Sequence, residues 1–246
     1  MLAKMYTSIK SKIKTMCFLS DIEKFKFDER NKNNEEIKTF YTPLFIEEDR
    51  INLFDELMDK ETSESVHIQA TDGATKIHGP ITVLDKLSVF AEDNIKITIP
   101  VNYGFYYSKS TSALQKYVDQ IRVHARKTFG NKVKVLNAAC PDESYQNYLR
   151  QIDVSVSLIG VPTRYANLIY LLYMGKKIFY PSDSTTYEYL EALGIDVYDT
   201  NEITGMSFEE FIEPAKIENG VAWAKEQIDP AEVTKKWHVM FDSLAE

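Results

Sequence analysis

Cysteine is scarce in this chain. Of its 246 residues only Cys17 and Cys140 are cysteines, far apart and in no metal-ligand spacing, and the four histidines, His67, His78, His124 and His238, are equally scattered. That argues against a zinc site, so no metal is expected, and it fits a reducing cytoplasm. A basic excess is also missing. The 29 Lys and Arg are outnumbered by 37 Asp and Glu, giving a formal net charge of -8, which argues against a general nucleic-acid binder. No apolar run approaches the ~18 residues of a transmembrane helix, and the N-terminus lacks the apolar centre of a signal peptide. The expectation is a soluble cytoplasmic protein.

Glycine-rich phosphate loops are lacking too. The stretch Gln-Ala-Thr-Asp-Gly-Ala-Thr-Lys after the first regular strand has one glycine. It is neither a Walker A loop nor a GxGxxG turn. Nor does the sequence hold a nucleophile–base–acid triad or a convincing carboxylate pair, so no catalytic residue is assigned.

What is present is enough apolar material, 44% of the chain, for one sizeable core or one domain plus a partial second. Residues 1–16 read as a helix, because Leu2, Met5, Ile9, Ile13 and Met16 recur at three- and four-residue steps. With Lys4, Lys10, Lys12 and Lys14 and no acid before Asp21, this stretch is either a basic helix lying on an anionic membrane or an ordinary helix packed on the body. Residues 21–37 are highly charged and, around Asn31, Asn33 and Asn34, read as a surface linker. A short strand-like stretch, Phe40–Phe45, and an imperfect helical pattern over Ile46–Met58 complete an N-terminal region of about residues 1–60. It is too small for a second full α/β domain.

From about residue 61 the pattern becomes regular. Strands are expected at Val66–Ile68, Ile95–Ile99, Val133–Leu136, Val154–Ile159, Ile178–Tyr180 and Val197–Tyr198. Helices are expected at Pro80–Phe90, Ser110–Phe129, Asp142–Ile152, Tyr165–Met174 and Thr185–Leu193. Glycines 130, 175 and 194 serve as helix stops, and further closing helices run over Ser207–Glu246. Strands alternating with helices imply right-handed βαβ units and a Rossmann-like parallel sheet covered on both faces. In such sheets ligands bind beyond the carboxyl ends of the strands. That rule selects the loops Gln69–His78, Val101–Lys109, Gly160–Asn167 and Pro181–Thr186.

Within those loops, Arg164 can pair bidentately with a diphosphate, or be an ordinary solvated arginine. Ser182, Asp183 and Thr185 open a helix, where their hydroxyls and amides can contact a sugar or phosphate or merely cap the helix. His78 reads more simply as a capping or surface histidine. Asp153, just ahead of an apolar strand, reads as structural.

Several blocks share a family likeness. Ile97-Thr98-Ile99-Pro100-Val101-Asn102-Tyr103-Gly104 resembles a strand and Pro-x-x-Tyr-Gly loop of the bacterial 4-acetamido-4,6-dideoxygalactose transferases. So does Tyr145-x-x-Tyr148-Leu149-x-x-Ile152-Asp153-Val154. The strongest block is Leu171-Leu172-Tyr173-Met174-Gly175-Lys176-Lys177-Ile178 followed by Ser182-Asp183-x-Thr185-Thr186-Tyr187-Glu188. Leu193-Gly194-Ile195-Asp196-Val197-Tyr198-Asp199 closes the similarity, which runs from about Val66 to Glu202. The resemblance implies the donor-binding half of a GT-B glycosyltransferase that needs no metal or other cofactor and takes a dTDP- or UDP-linked sugar. Its acceptor would be a glycan or lipid-linked glycan at the inner face of the membrane, in polysaccharide biosynthesis. It places the donor near Thr71, Asp72, His78, Tyr103, Arg164, Tyr165, Asn167, Ser182, Asp183 and Thr185. Gln69-Ala70-Thr71 stands where the family has Gly-Asn-Ser. Val161-Pro162-Thr163-Arg164-Tyr165-Ala166-Asn167 stands where it has Arg-Gln-Gln-Gly-x-Gly-Asn, and only Asn167 is kept. Fewer than 65 residues precede the sheet, where the family has a whole acceptor domain. Two expectations follow: a reduced transferase, working alone or with a second chain that supplies the acceptor domain, or a non-catalytic relative that binds a partner.

Overall fold

The computed structural model of the protein describes residues 14–32, 37–43, 64–71, 79–101, 111–136, 142–158 and 165–245, with the backbone alone described for residues 71, 111–114 and 142–146. Two compact units emerge, one formed by residues 52–224 and the other by residues 1–51 with 225–246.

The larger unit is built on a six-stranded, wholly parallel sheet. Its strands are β3 (Val66–Thr71), β4 (Ile95–Pro100), β5 (Val133–Leu136), β6 (Val154–Ser157), β7 (Lys177–Tyr180) and β8 (Tyr198–Asp199). They lie in the order β5-β4-β3-β6-β7-β8, the doubly wound arrangement in which the chain leaves β3 in one direction and returns through β6 in the other. The connecting helices are α2 (Gly79–Leu87), α3 (Thr111–Phe129), α4 (Asp142–Gln151), α5 (Tyr165–Tyr173) and α6 (Thr185–Ala192). The α/β, Rossmann-like class expected from the alternating pattern is the fold observed.

Strand alternation decides what each face carries. Register pairs Ile68 with Ile97 and Val154, and Ile97 with Val133. That face is apolar and buries Ile68, Ile97, Ile99, Val156 and Phe179 against Leu84 of α2, Val118 and Ile121 of α3, and Phe211. Phe211 comes from a short helix, α7 (Phe208–Ile212), started by a reciprocal capping box between Ser207 and Glu210. Its ring lies 4.6 Å from Phe90 and 5.3 Å from Phe179.

The opposite face is more polar over β3 and β4, where His67 pairs with Lys96 and Gln69 with Thr98. The Tyr148 hydroxyl of α4 donates to the Gln69 side-chain oxygen at 2.9 Å, and the His67 ring lies 3.1 Å from the Thr98 hydroxyl. The Asp153 carboxylate accepts the His67 amide at 2.9 Å, the structural role its place ahead of β6 suggests. Toward β7 this face turns apolar again. Helix α5 packs there with every residue from Leu168 to Tyr173 buried, as a helix apolar all round must be.

The second unit contains a two-stranded parallel sheet of β1 (Thr15–Phe18) and β2 (Lys38–Tyr41), joined by α1 (Asp21–Arg30). Two sequence expectations are corrected here. Thr15–Phe18 is a strand rather than the end of a helix over 1–16, and residues 1–13 lie outside the described residues. Residues 21–30 are a helix rather than linker. The Ser20 side chain accepts the Glu23 amide as its N-cap, and Ile22 is fully buried. Tyr41 donates to the Gln227 side chain at 2.9 Å. Trp237, on the terminal helix α9 (Pro230–Ala245), donates to the Pro43 carbonyl at 2.9 Å. Helix α8 (Glu218–Ile228) precedes α9. Among the described residues no helix is long and apolar enough to cross a membrane.

Candidate functional site

The topology fixes where a ligand would sit. Strands β3 and β6 are neighbours whose connections leave in opposite directions, which makes their carboxyl ends the topological switch point where open parallel sheets bind ligands. The last register pair on that side is Thr71 with Ser157. Helix α5 follows β6 in the chain, and the N-terminal end of a helix suits an anion.

Of the residues singled out in the sequence, Thr71 ends β3 and stands at this switch point. Tyr165 and Asn167 lie in the first turn of α5. Tyr165 is half-buried, with its ring edge-on to Trp223 at 6.2 Å. Asp72, His78, Tyr103 and Arg164 lie outside the described residues. Ser182, Asp183 and Thr185 form a second group, beyond the end of β7 and so one strand further along the same edge. Ser184 is the N-cap of α6, its hydroxyl accepting the Tyr187 amide at 3.2 Å. Capping is thereby carried by Ser184, and Ser182 and Asp183 are exposed.

Ser182 is engaged by a residue that sequence reasoning did not single out. Asp199, at the end of β8, accepts the Ser182 hydroxyl at 2.6 Å and the Ser182 amide at 3.2 Å. It also accepts the Asn201 amide at 2.9 Å. Burial alone would push the Asp199 carboxyl up. The hydrogen bonds from Ser182 and Asn201, with Lys86 nearby, outweigh it and hold the group below the usual carboxylate range. Thr200 beside it is fully buried, and its hydroxyl donates to the Ser157 carbonyl at 2.9 Å, tying the ends of β8 and β6 together. Tyr187 faces the same region. Burial and then the charges of Glu191, Asp199 and Glu202 raise its hydroxyl above the ordinary value.

These contacts divide the edge by chemistry. With its hydrogen committed to Asp199, the Ser182 hydroxyl can only accept, and phosphate oxygens at neutral pH also only accept. An ionised Asp199 further repels phosphate. The β7–β8 end therefore suits hydrogen-bond donors such as sugar hydroxyls, while the start of α5 suits an anion. The signal for Asp199 was available, since it ends the last strand on the edge already selected and lies in the last block of the family likeness.

No protein-family model matches the chain, and no curated protein matches it. Solved structures do. A UDP-forming α,α-trehalose-phosphate synthase from Burkholderia xenovorans superposes with a TM-score of 0.58 at 13% identity, over 95% of this chain and 61% of its own. A glycosyltransferase from Rickettsia africae gives 0.62 at 13% identity, over 99% of this chain and 66% of its own. The Anabaena protein HepE, crystallised with UDP and glucose, gives 0.61 at 13% identity, over 94% of this chain and 63% of its own. These neighbours are GT-B glycosyltransferases, so the chain has the fold of such enzymes and spans less than two thirds of their length.

Proposed function

We propose that the protein binds a nucleotide-sugar donor along the carboxyl edge of its sheet and takes part in transferring the sugar to a glycan or lipid-linked acceptor. The diphosphate sits between Thr71 and the first turn of α5, with Asp72, Arg164 and Asn167 as the residues proposed to bind it. The sugar lies toward Ser182, Asp183, Thr185 and Asp199, and Tyr103 and His78 are further candidate donor-binding residues. The observation that carries this reading is the switch point between β3 and β6, with a helix start for an anion and, beside it, a carboxylate–hydroxyl pair suited to sugar hydroxyls. The fold likeness to glycosyltransferases supports it, including one that holds UDP and glucose in the crystal. The protein's contribution to rate would be positioning and stabilisation of the leaving diphosphate, without a metal. A dTDP-amino sugar, as in the family that the sequence blocks resemble, and a UDP-sugar are the two donor classes to be tried. Action at the inner face of a membrane belongs to the same proposal.

A second reading is that the protein works with a second chain that supplies the acceptor side, or binds a partner without turnover, since a fold does not fix a function. Calorimetric titration of dTDP, UDP, GDP and ADP tests the first reading. Saturable binding of one nucleotide, weakened by Arg164→Ala, is expected. Transfer assays with the matching sugar nucleotide then separate enzyme from binding protein. If none of the four nucleotides binds, donor recognition is refuted and the partner-binding reading takes its place.

A further inference from the structure

Strand β5 is an edge of the six-stranded sheet. Its ladder with β4 includes bonds from the Ile97 amide to the Lys132 carbonyl and from the Val101 amide to the Leu136 carbonyl. In a parallel ladder alternate residues bond to one side. The main-chain groups of Val133 and Val135 therefore face away from β4, and among the described residues no strand pairs there.

A groove lies against this edge on each face of the sheet. On the apolar face a groove of about 480 Å³ is lined by Val133, Val135, Arg122 and Arg126 among others. On the polar face one of about 490 Å³ is lined by Lys134, Lys96, Lys132 and Tyr148 among others. Asn131, just ahead of β5, lines both. Among the described residues neither lining contains an Asp or Glu, in a chain whose net charge is -8. Arg122, Arg126, Lys96 and Lys134 are exposed. Of the nearby cations, Lys132 is spent on the carbonyls of Ala91 and Asp93 at 2.6 and 2.8 Å, and Arg122 touches Asp119 at 3.4 Å.

We propose that β5 is a docking edge to which an extended acidic segment of a partner protein adds as a further strand. Main-chain bonds to Val133 and Val135 would supply attachment. Alternate side chains of an added strand point to opposite faces, so acids at one parity meet Arg122 and Arg126 and those at the other meet Lys134 and Lys96. The same charges exclude a second copy of this chain. Pairing two β5 edges would bring like charges together, the device by which lysine protects free edges from self-association. An acidic strand is the one occupant for which edge and charges act in the same direction.

The test is a fluorescence-anisotropy titration of the full chain with a labelled peptide of alternating Glu and Val. Saturable binding is expected, reduced about tenfold or more by Val135→Pro, by Arg126→Glu with Lys134→Glu, and by N-methylation of the peptide backbone. Proline at 135 removes an outward-facing amide that the sheet does not use, so the fold is expected to persist. Where circular dichroism shows that it does not, the N-methylated peptide on the unaltered protein decides. Equal binding of the N-methylated peptide, with displacement by pyrophosphate, would make these grooves a small-anion site and overturn strand addition. Absence of binding, or equal binding of a Lys and Val peptide, would overturn it as well. Neither result touches the nucleotide proposal, whose residues lie at the carboxyl edge.

Discussion

Single residues carry most of what distinguishes the candidate site from a bare fold. Asp199 is held ionised by three hydrogen bonds, two of them from Ser182. Because its folded pKa lies below the usual 3.8, the unfolded chain takes up the proton first on acidification. The stability it contributes is therefore present above pH 3.8 and is lost as pH falls through the lowered value. Urea unfolding of Asp199→Asn across acidic pH should be flatter with pH than that of the unaltered protein, and equal slopes would remove Asp199 from the pH dependence. Ser182→Ala should cost about 1 kcal/mol of stability, yet weaken a nucleotide-sugar more than the bare nucleotide if Ser182 lies at the sugar. Equal losses for the two ligands would place it elsewhere. Lys177 shows why composition misleads at this scale. The sequence pattern places the start of β7 at Ile178. In the fold Lys177 is the first residue of the strand and is only 5% exposed. Its ammonium donates to the Glu210 carbonyl at 2.7 Å and lies 4.1 Å from the Tyr198 ring centre. Burial lowers its pKa although Glu213 and Glu210 oppose this. Partners as distant in sequence as Glu210 are invisible to a local pattern.

At the scale of elements, the sheet unit was largely legible because its signals are local. The strand Val133–Leu136 has the expected bounds, and the helix stops expected at Gly130 and Gly175 have the positive φ values, 62° and 64°, that glycine tolerates. These two stops differ in what surrounds them. A Cβ at Gly130 meets nothing within 4 Å, whereas at Gly175 it would lie 3.0 Å from the Ile217 side chain. Gly130→Ala should cost about 1 kcal/mol from backbone strain alone, and Gly175→Ala about 1 kcal/mol more. Chemical denaturation of the two variants checks the order, and equal losses would show that Ile217 moves aside freely. The N-terminal unit was read less well for physical reasons. Helical spacing across residues 1–16 ignored that Thr15–Phe18 pairs with Lys38–Tyr41, a non-local interaction. The charges of residues 21–30 suggested a linker, yet Glu, Lys and Arg are good helix formers. Ser20 and Glu23 stand at the spacing of an N-cap signature, which was readable and outweighed by the charge.

For the molecule as a whole, net charge and local fields pull in different directions, and salt separates them. A chain of net charge -8 opposes the long-range approach of any anion, so only short-range features can hold a diphosphate. Helix-start amides act within a few ångströms, inside the ~8 Å screening length of physiological salt. Exposed lysines and arginines around β5 act over a longer range and are screened more. Nucleotide binding should accordingly raise the unfolding temperature with little dependence on salt. At a concentration about 100 times Kd the expected stabilisation is about 2.7 kcal/mol, or a shift of about 5–10 °C for a chain of this size. Acidic-peptide binding at β5 should fall steeply as salt rises from about 50 to 200 mM. Thermal scans with each nucleotide, and anisotropy titrations with the Glu–Val peptide, both repeated at the two salt levels, measure the contrast. A nucleotide effect that vanishes at the higher salt would mean that the nucleotide is held by diffuse surface charge. The switch point between β3 and β6 would then lose its claim to the diphosphate, even with binding observed.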